Sequence, residues 1–491
     1  MNNKIQYKSN KIFTFTIFFI FCLKIDAQTP LPLKRFIEKP FLNGASVSFM
    51  AKEVKSGNIL YSYDSERELI PASVMKTVTT AVALDILGED FRFETSVSYD
   101  GEIEKGILNG NIYIHGSGDP TINSSELKAK KDSIIELWAT AIKNAGIQKI
   151  TGRIIADESI FDTEGVSMKW LREDLGSDYG QGTYGINIFD NQFALYLETG
   201  AAGTKPSILH SEPSMASVSF HNYLQTLAVP KDSFYIVGFP YSNDRYLYGT
   251  LRTNRNNTKI IGDIPEPALY LAQYFTNYLF VNKSIIVEKE ASCYRLLSQT
   301  GQWNTNPQQT IITTYSPPLK EIVKITNFVS HNMYADALLK TLGLRLKTGP
   351  KENLSSFEKG AVVIKNHLEK NGINTSSLWI YDGSGLAITN KVTASLLCNI
   401  YIYMDKSVVS EAFIKSIPQP GIEGTVRNMF KGTKLQGKSH LKSGSMSRVS
   451  CYGGYIIKDG KQYAVSLLIN NFSGKNNQMR HATEELFLSL F

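Results

Sequence analysis

Residues 70–87 read IPASVMKTVTTAVALDIL, a mainly apolar stretch that Gly88 ends. Pro71 comes just before the run from Ser73 to Leu87, and this run predicts a helix. Its apolar residues are not confined to one stripe, so we expect the helix to be buried in the core.

Two strand hairpins and a final helix are predicted around this segment, near the two ends of the chain. The four strands are residues 45–54 and 59–63, then 451–458 and 462–469. Asp459-Gly460 joins the last two strands and is a favoured two-residue turn. A helix is predicted over 479–490, another helical stretch over 317–348, and short strands fill much of the middle. The pattern is typical of one α/β domain that carries an insertion.

A Ser-x-x-Lys motif opens the predicted core helix at Ser73 and Lys76. Residues i and i+3 share a helix face, so the Lys76 amine can reach the Ser73 hydroxyl. The helix N-terminus offers free N–H groups and a positive dipole end beside a developing oxyanion. Burial would lower the pKa of Lys76 and let it act as a base. This arrangement predicts Ser73 as a nucleophile.

The same motif recurs elsewhere, so spacing alone does not select Ser73. The other copies are Ser125/Lys128, Ser356/Lys359 and Ser439/Lys442. Only the Ser73 copy opens a core helix directly after a hairpin.

Two further motifs carry suitable polar groups. Lys442-Ser443-Gly444 leads into the last two strands, where a cation and a hydroxyl can hold a carboxylate and a glycine lets a substrate approach a sheet edge. Copies at Lys55-Ser56-Gly57 and Lys347-Thr348-Gly349 are interpreted as a hairpin tip and a helix end. Ser330-His331-Asn332 falls inside a predicted helical stretch, and a solvated helix face is the alternative reading for it.

The order Ser73/Lys76, Ser330/Asn332, Lys442/Ser443/Gly444 resembles that of penicillin-binding proteins and class A β-lactamases. The gap of 257 residues from Ser73 to Ser330 is similar to that of class C low-molecular-mass penicillin-binding proteins. This is the D-Ala-D-Ala carboxypeptidase/endopeptidase family of the penicillin-binding protein 4 type. Further stretches that resemble the family are 70–73, 118–121, 152–159, 190–191 and 382–386.

The resemblance implies a role for each catalytic residue. Ser73 attacks the carbonyl of the penultimate D-Ala while Lys76 takes its proton. Ser330 passes a proton to the leaving amine, and Asn332 binds the substrate amide and orients Lys76. Lys442 grips the terminal carboxylate.

The resemblance also implies a set of substrate-binding residues. The N–H groups of Ser73 and Ser445 are expected to form an oxyanion hole, with Ser443 and Gly444 beside them. Three residues of the inserted region are predicted to face the cleft: Trp170, Asp174 and Tyr184. This chain departs from the family in having Ser443 in place of Thr, and Ala387-Ile388 where Ser-Arg is frequent. The second departure leaves the preferred side chain of the stem peptide open.

The implied fold class is α/β: a penicillin-recognising transpeptidase/β-lactamase-like domain, an antiparallel sheet with helices, carrying a large inserted β-rich region of two subdomains. We expect the catalytic domain over 28–92 and 314–491. Inserted domain II is expected over 93–123 and 199–313, and inserted domain III over 124–198.

Residues 1–27 combine a basic start, the apolar run 12–23 and, at Ile25-Asp26-Ala27, an A-x-A-like site for cleavage before Gln28. This order predicts a signal peptide and hence a secreted, periplasmic protein, with a retained anchor as the alternative. Its removal lowers the net charge from +7 to +4, which does not indicate nucleic acid but suits an anionic cell wall. Peripheral membrane association stays open.

Cys293, Cys398 and Cys451 remain after such cleavage, an odd and widely spaced set that does not predict a disulfide framework. No Cys/His spacing is typical of a metal site, and neither a metal nor a cofactor is predicted.

The predicted function is that of a serine DD-peptidase acting on D-Ala-D-Ala termini of peptidoglycan stem peptides. Cleavage of D-alanyl crosslinks as an endopeptidase is a second expected activity, and β-lactams are expected to inhibit covalently. The alternatives are a β-lactamase-like hydrolase and a non-catalytic cell-wall or β-lactam-sensing module on the same fold.

Overall fold

The computed structural model describes residues 29–128, 131–304, 306–347 and 353–491. The predicted signal peptide and part of the Lys347-Thr348-Gly349 motif lie outside the described residues. None of the helices in these ranges has the length and apolar character needed to cross a bilayer.

The helices in the described ranges are α1 Leu31–Ile37, α2 Met75–Leu87, α3 Ser133–Asn144, α4 Pro267–Lys283, α5 Tyr294–Gln299, α6 Leu319–Phe328, α7 Asn332–Gly343, α8 Ser356–Lys370, α9 Ala394–Asp405, α10 Ser410–Ser416 and α11 Asn476–Leu490. Short 3₁₀ turns lie at Pro40–Leu42, Ala72–Val74, Phe189–Asn191 and Gly424–Val426.

The strands are β1 Ser46–Glu53, β2 Ile59–Tyr63, β3 Glu94–Tyr99, β4 Glu102–Glu104, β5 Ile107–Asn109, β6 Ile112–His115, β7 Lys149–Ile150, β8 Ile154–Asp157, β9 Gln192–Thr199, β10 Ser207–Glu212, β11 Ser219–Leu227, β12 Ser233–Val237, β13 Asp244–Arg252, β14 Arg255–Asp263, β15 Ile286–Val287, β16 Ser292–Cys293, β17 Gln309–Tyr315, β18 Ser439–Met446, β19 Val449–Lys458 and β20 Lys461–Asn470.

The two ends of the chain form one antiparallel sheet in the order β18-β19-β20-β1-β2. Both predicted hairpins are present. Asp459 and Gly460 have φ angles of 50° and 73°, the left-handed values that a tight two-residue hairpin turn needs. Side chains alternate across β1, so Met50 packs into the core that contains α2, whereas Phe49 and Ala51 pack under α11. The sheet therefore has a hydrophobic core on each face.

The predicted core helix is α2, and it is enclosed as its apolar sequence requires. Every residue from Met75 to Leu84 is buried, and the helix ends at Gly88, whose φ is 86°. The helix packs between the sheet and α6, α7, α8 and α9. Lys76 is the only charged side chain in that buried run, so its amine must be satisfied inside the protein.

The predicted helical stretch over 317–348 is broken in the structure. α6 ends at Phe328 and α7 begins at Asn332, because Ser330 between them has a φ of 61°. A residue in the left-handed region cannot continue a right-handed helix. The polar Ser330-His331-Asn332 motif thus lies in a turn and at a helix start rather than on a helix face.

The inserted strands form four sheets, ordered β16-β8-β6-β3-β17, β15-β7-β5-β4, β10-β9-β14 and β11-β13-β12. The pairing crosses the predicted division of this region. β8 comes from the predicted domain III range, yet it pairs in parallel with β6 of the domain II range. β9 pairs with both β10 and β14. The strand pairing thus joins segments of the predicted domains II and III within single sheets. The boundaries between these two subdomains stay a prediction.

Arg245 on β13 and Asp263 on β14 form an ion pair between the two three-stranded sheets, at 2.7 Å and with side chains 0% and 3% exposed. We expect Asp263→Ala to lower the local opening free energy of these strands by about 3–5 kcal/mol, because it leaves a buried guanidinium unpaired. Hydrogen exchange of β13 and β14 measures this. Asp90→Ala, which removes an exposed partner of Lys320, is the control and should change nothing measurable. Equal effects would contradict the prediction.

Candidate active site

Ser73 lies in the 3₁₀ turn that leads into α2, at the edge of the core. Ala72 before it has a φ of 46°, a left-handed value that is uncommon for a residue with a side chain. Such strain persists only where the surroundings fix it, and it is frequent at functional sites. The Ser73 side chain is half-buried and contacts the amine of Lys76 one turn later.

The Lys76 amine lies among three oxygen atoms from three segments. Its Nζ is 3.1 Å from Ser73 Oγ, 2.5 Å from Asn332 Oδ1 and 2.7 Å from the carbonyl oxygen of Ser384. The amide and carbonyl oxygens can only accept hydrogen bonds, whereas a hydroxyl can also donate. A neutral amine has two N–H groups for the two acceptors and one lone pair. The lone pair then points to the Ser73 hydroxyl, as a general base requires.

Burial favours this neutral form. The side chain is fully enclosed, and burial lowers the pKa of Lys76 to about 8, although the negative charges of Asp336 and Asp382 act in the opposite direction. Near neutral pH a useful fraction of the amine is therefore unprotonated.

The Ser384 carbonyl is held by a loop over residues 382–386. Asp336 on α7 accepts hydrogen bonds from the N–H groups of Gly383, at 2.7 Å, and Ser384, at 3.0 Å. Asp382 accepts from the N–H groups of Gly385 and Ala387. These two buried carboxylates fix the backbone that faces Lys76.

A second buried lysine, Lys442 on β18, lies close enough to Lys76 for their charges to interact. Lys442 Nζ donates to Ser330 Oγ at 2.9 Å and to the carbonyl of Ser443 at 2.7 Å. Burial, together with the positive charge of Lys76, brings the pKa of Lys442 well below its ordinary value. The left-handed conformation of Ser330 is what brings its hydroxyl to this amine.

β18 is the edge strand of the sheet, and it passes directly over the nucleophile. A methyl group at Gly444 would lie 2.6 Å from the carbonyl oxygen of Pro71 and 3.0 Å from the backbone nitrogen of Ser73. Only glycine allows this approach. Ser445 follows it with an exposed side chain, and Ser443 Oγ lies 2.8 Å from the hydroxyl of Thr425.

The structure thus brings Ser73, Lys76, Ser330, Asn332 and Lys442 together, with Ser443, Gly444 and Ser445 alongside. Of the three residues predicted in the inserted region, two lie near this centre. The Trp170 indole donates to Asp382 Oδ2 at 2.7 Å and is buried, so it supports the 382–386 loop. Asp174 is buried, and its Oδ2 atom has no hydrogen-bond partner among the described residues.

The predicted substrate contact of Tyr184 stays a prediction. Its side chain is 3% exposed, and its ring packs against Tyr241 and against the backbones of Gly165 and Gly182. In the structure, the Tyr184 ring packs inside the inserted region.

Sequence reasoning missed Tyr179, Ser384 and Asp336. The Tyr179 carbonyl accepts from Asn332 Nδ2 at 2.7 Å, and its ring is 46% exposed. Residues 382–386 were recognised as resembling the family, but a backbone carbonyl leaves no residue type by which its role could be read. Within the described ranges, no group of His, Cys, Asp and Glu side chains is arranged to hold a metal ion.

Comparisons with known proteins agree on one family. Residues 31–488 match the D-Ala-D-Ala carboxypeptidase 3 (S13) family. A D-alanyl-D-alanine carboxypeptidase from Actinomadura sp. (strain R39) is 26% identical over 449 residues, which are 89% of this chain and 80% of the relative. D-alanyl-D-alanine carboxypeptidase DacB from Haemophilus influenzae is 24% identical over 444 residues, 88% of this chain and 86% of the relative.

Solved structures show the same fold. Penicillin binding protein 4 (dacB) from Haemophilus influenzae has a TM-score of 0.77 at 22% identity and covers 91% of this chain and 96% of its own. A structure of that protein with a β-lactam has a TM-score of 0.73 at 20% identity and covers 94% and 99%. The predicted family, α/β fold class and serine D-Ala-D-Ala carboxypeptidase class are confirmed.

We expect the acylation rate of this enzyme to rise with pH and to level off above pH 8. The pKa of Lys76 is lowered to about 8, so the fraction of the amine that is neutral rises about tenfold per pH unit below that value. Stopped-flow acylation by a penicillin between pH 6 and pH 10 measures the profile. A rate that does not change over this range would contradict the role of Lys76 as base.

Proposed function

The chain belongs to the D-Ala-D-Ala carboxypeptidase 3 (S13) family, and we propose that it releases the terminal D-alanine of peptidoglycan stem peptides through an acyl-enzyme on Ser73. The observation that carries this proposal is the Lys76 amine, held between two obligate acceptors and the Ser73 hydroxyl. This geometry turns a weak nucleophile into a reactive one.

In the first step, the Ser73 hydroxyl gives its proton to neutral Lys76 while its oxygen bonds to the carbonyl carbon of the penultimate D-Ala. The negative charge that develops on the carbonyl oxygen is held by the N–H groups of Ser73 and Ser445. The close passage of Gly444 over the Ser73 backbone supports this pairing of N–H groups.

In the second step, the carbon–nitrogen bond breaks and the leaving amine needs a proton. Ser330 passes to it the proton that Lys76 took from Ser73 and keeps its own hydroxyl, so Lys76 is neutral again. The Lys442 amine lies 2.9 Å from the Ser330 hydroxyl. Lys442 and Ser443 hold the carboxylate of the departing D-alanine. Water then attacks the Ser73 ester, releases the shortened peptide and restores the hydroxyl.

The stem-peptide side chain is recognised by the inserted region. We assign this contact to Asp174, because its Oδ2 atom has no hydrogen-bond partner within 3.5 Å among the described residues, although burial raises the pKa of its carboxyl. A cationic group on the peptide would satisfy that oxygen. Ala387-Ile388 adds no guanidinium to the cleft, so a cationic side chain is favoured over an anionic one.

Further parts of the proposal follow from the same site. D-alanyl crosslinks have the same scissile bond type, so endopeptidase activity accompanies carboxypeptidase activity. β-Lactams mimic the dipeptide and acylate Ser73, in keeping with the β-lactam complex of penicillin binding protein 4 from Haemophilus influenzae.

A substrate in the cell wall places the enzyme in the periplasm, where residues 1–27 would direct it and where peripheral membrane association is compatible with its mild basic charge.

Ser73→Ala is expected to abolish covalent labelling by a fluorescent penicillin and D-alanine release from a stem pentapeptide, because no other group can form the ester. Ser356→Ala, at another Ser-x-x-Lys copy, is the control and should label as the unmodified protein does. Labelling that survives Ser73→Ala would sink the assignment. Unmodified, folded protein that never labels would favour a non-catalytic module, and rapid release of the label would favour a β-lactamase-like hydrolase.

Asp174→Asn is expected to raise KM about tenfold for a pentapeptide with a free amine on its side chain, because a buried charge-assisted contact is lost. The same peptide with that amine acetylated is the matched control, and its KM should not respond to the substitution. Steady-state D-alanine release measures both. An equal rise for the two peptides would show that Asp174 does not read the amine.

A further inference from the structure

The conformation of Ser330 has to be held by something outside its own helices. Ser330 lies between α6 and α7 with a φ of 61°, and the neighbouring His331 N–H donates to the Thr326 carbonyl at 3.1 Å. A left-handed non-glycine residue is costly and persists only where neighbours fix it. The position of the Ser330 hydroxyl against Lys442 therefore depends on contacts made by this turn.

The His331 side chain makes such a contact with the inserted region. The residue is 9% exposed, and its ring centroid lies 4.3 Å from that of Tyr334. Its Nε2 atom is 3.5 Å from Asp190 Oδ1, which is an ion-pair distance rather than a short hydrogen bond. Its other ring nitrogen, Nδ1, is buried without a partner among the described residues. Asp190 is thus the polar contact of this ring.

Asp190 is itself held in place by a strained turn. Phe189, Asp190 and Asn191 have φ angles of 54°, 56° and 51°, three consecutive left-handed residues with side chains. The Asp190 carboxylate accepts from Ser124 Oγ at 2.5 Å, from Ser125 N–H at 2.8 Å and from Ser125 Oγ at 2.7 Å. Backbone strain of this kind is typical of functional sites.

The charge of Asp190 suits its contact with the His331 ring. Burial raises the pKa of its carboxyl, but the His331 contact and the Ser124 and Ser125 hydrogen bonds outweigh this, and the pKa is below its ordinary value. The group is an ionised carboxylate, and it is the polar contact of the buried His331 ring, so loss of its charge would weaken the interaction that holds this ring.

We propose that Asp190 is a positioning residue for the reaction: through His331 it holds Ser330 in the turn that places its hydroxyl against Lys442. This inference rests on the proposed function of Ser330 in proton transfer. Asp190 belongs to the inserted region, so the inserted region contributes to the chemical step as well as to substrate binding. Neither residue touches substrate.

The test separates binding from acylation in the full chain with a fluorescent penicillin as probe. We expect Asp190→Asn and His331→Leu to lower the first-order acylation rate constant on the order of 10- to 100-fold, as small misplacements of catalytic groups do, with the dissociation constant of the non-covalent complex unchanged. His331→Gln keeps an N–H donor towards Asp190 and should recover most of the rate.

Thr341→Val is the matched control, because it removes a buried hydrogen bond within α7, from the Thr341 hydroxyl to the Ala337 carbonyl at 2.7 Å, and this bond involves neither His331 nor Asp190. It should leave the acylation rate constant unchanged, while melting curves compare the stability of all variants. The Asp190→Asn/His331→Leu double variant should acylate no more slowly than the slower single variant, since both act through one contact.

Acylation of Asp190→Asn and His331→Leu at the unmodified rate would overturn the inference. So would a loss for Thr341→Val as large as theirs, which would indicate general destabilisation, or a His331→Gln variant as slow as His331→Leu. Unmodified protein that fails to label would instead overturn the proposed function, and the inference with it.

Discussion

The Lys76 amine is enclosed in the protein core, and a buried amine needs a hydrogen-bond partner for every N–H it keeps. The rest of the active site has to supply those partners. The partners of the amine come from the 3₁₀ turn before α2, from the start of α7 and from the 382–386 loop. Each segment has its own support, since Asp336 and Asp382 bind the loop backbone and Gly444 lets β18 close over Ser73. The requirement to satisfy one amine therefore explains much of the packing around the nucleophile.

α7 connects this centre to the inserted region. Asn332 and Asp336 serve the Lys76 site, whereas Tyr334 bonds to Ser124 and Lys340 donates to the carbonyl of Thr183. One short helix thus carries groups for both the chemistry and the docking of the insertion. A shift of the inserted region would be transmitted to the catalytic residues through packed, hydrogen-bonded contacts rather than through a flexible linker.

The sequence predicted what residue type and periodicity can encode. The buried α2, the two hairpins and the motifs at Ser73 and Lys442 follow from apolar patterning and from order along the chain. The break at Ser330 was missed because serine carries no left-handed signal as glycine does. The burial of Tyr184 could not be read from its residue type, because aromatic residues suit cores and clefts equally well. The 382–386 loop acts through a carbonyl that every residue possesses, so its sequence could suggest importance but not a role.

The central claim is that burial lowers the pKa of Lys76 far enough for its neutral form to act as the base near neutral pH. The most direct measurement is an NMR titration of protein with ¹³C- and ¹⁵N-labelled lysine, with the Lys76 signal assigned by its absence from Lys76→Met. A titration midpoint near pH 8 is predicted, since burial lowers the pKa of Lys76 to about 8. A midpoint near 10.5, the ordinary value for lysine, would contradict the account.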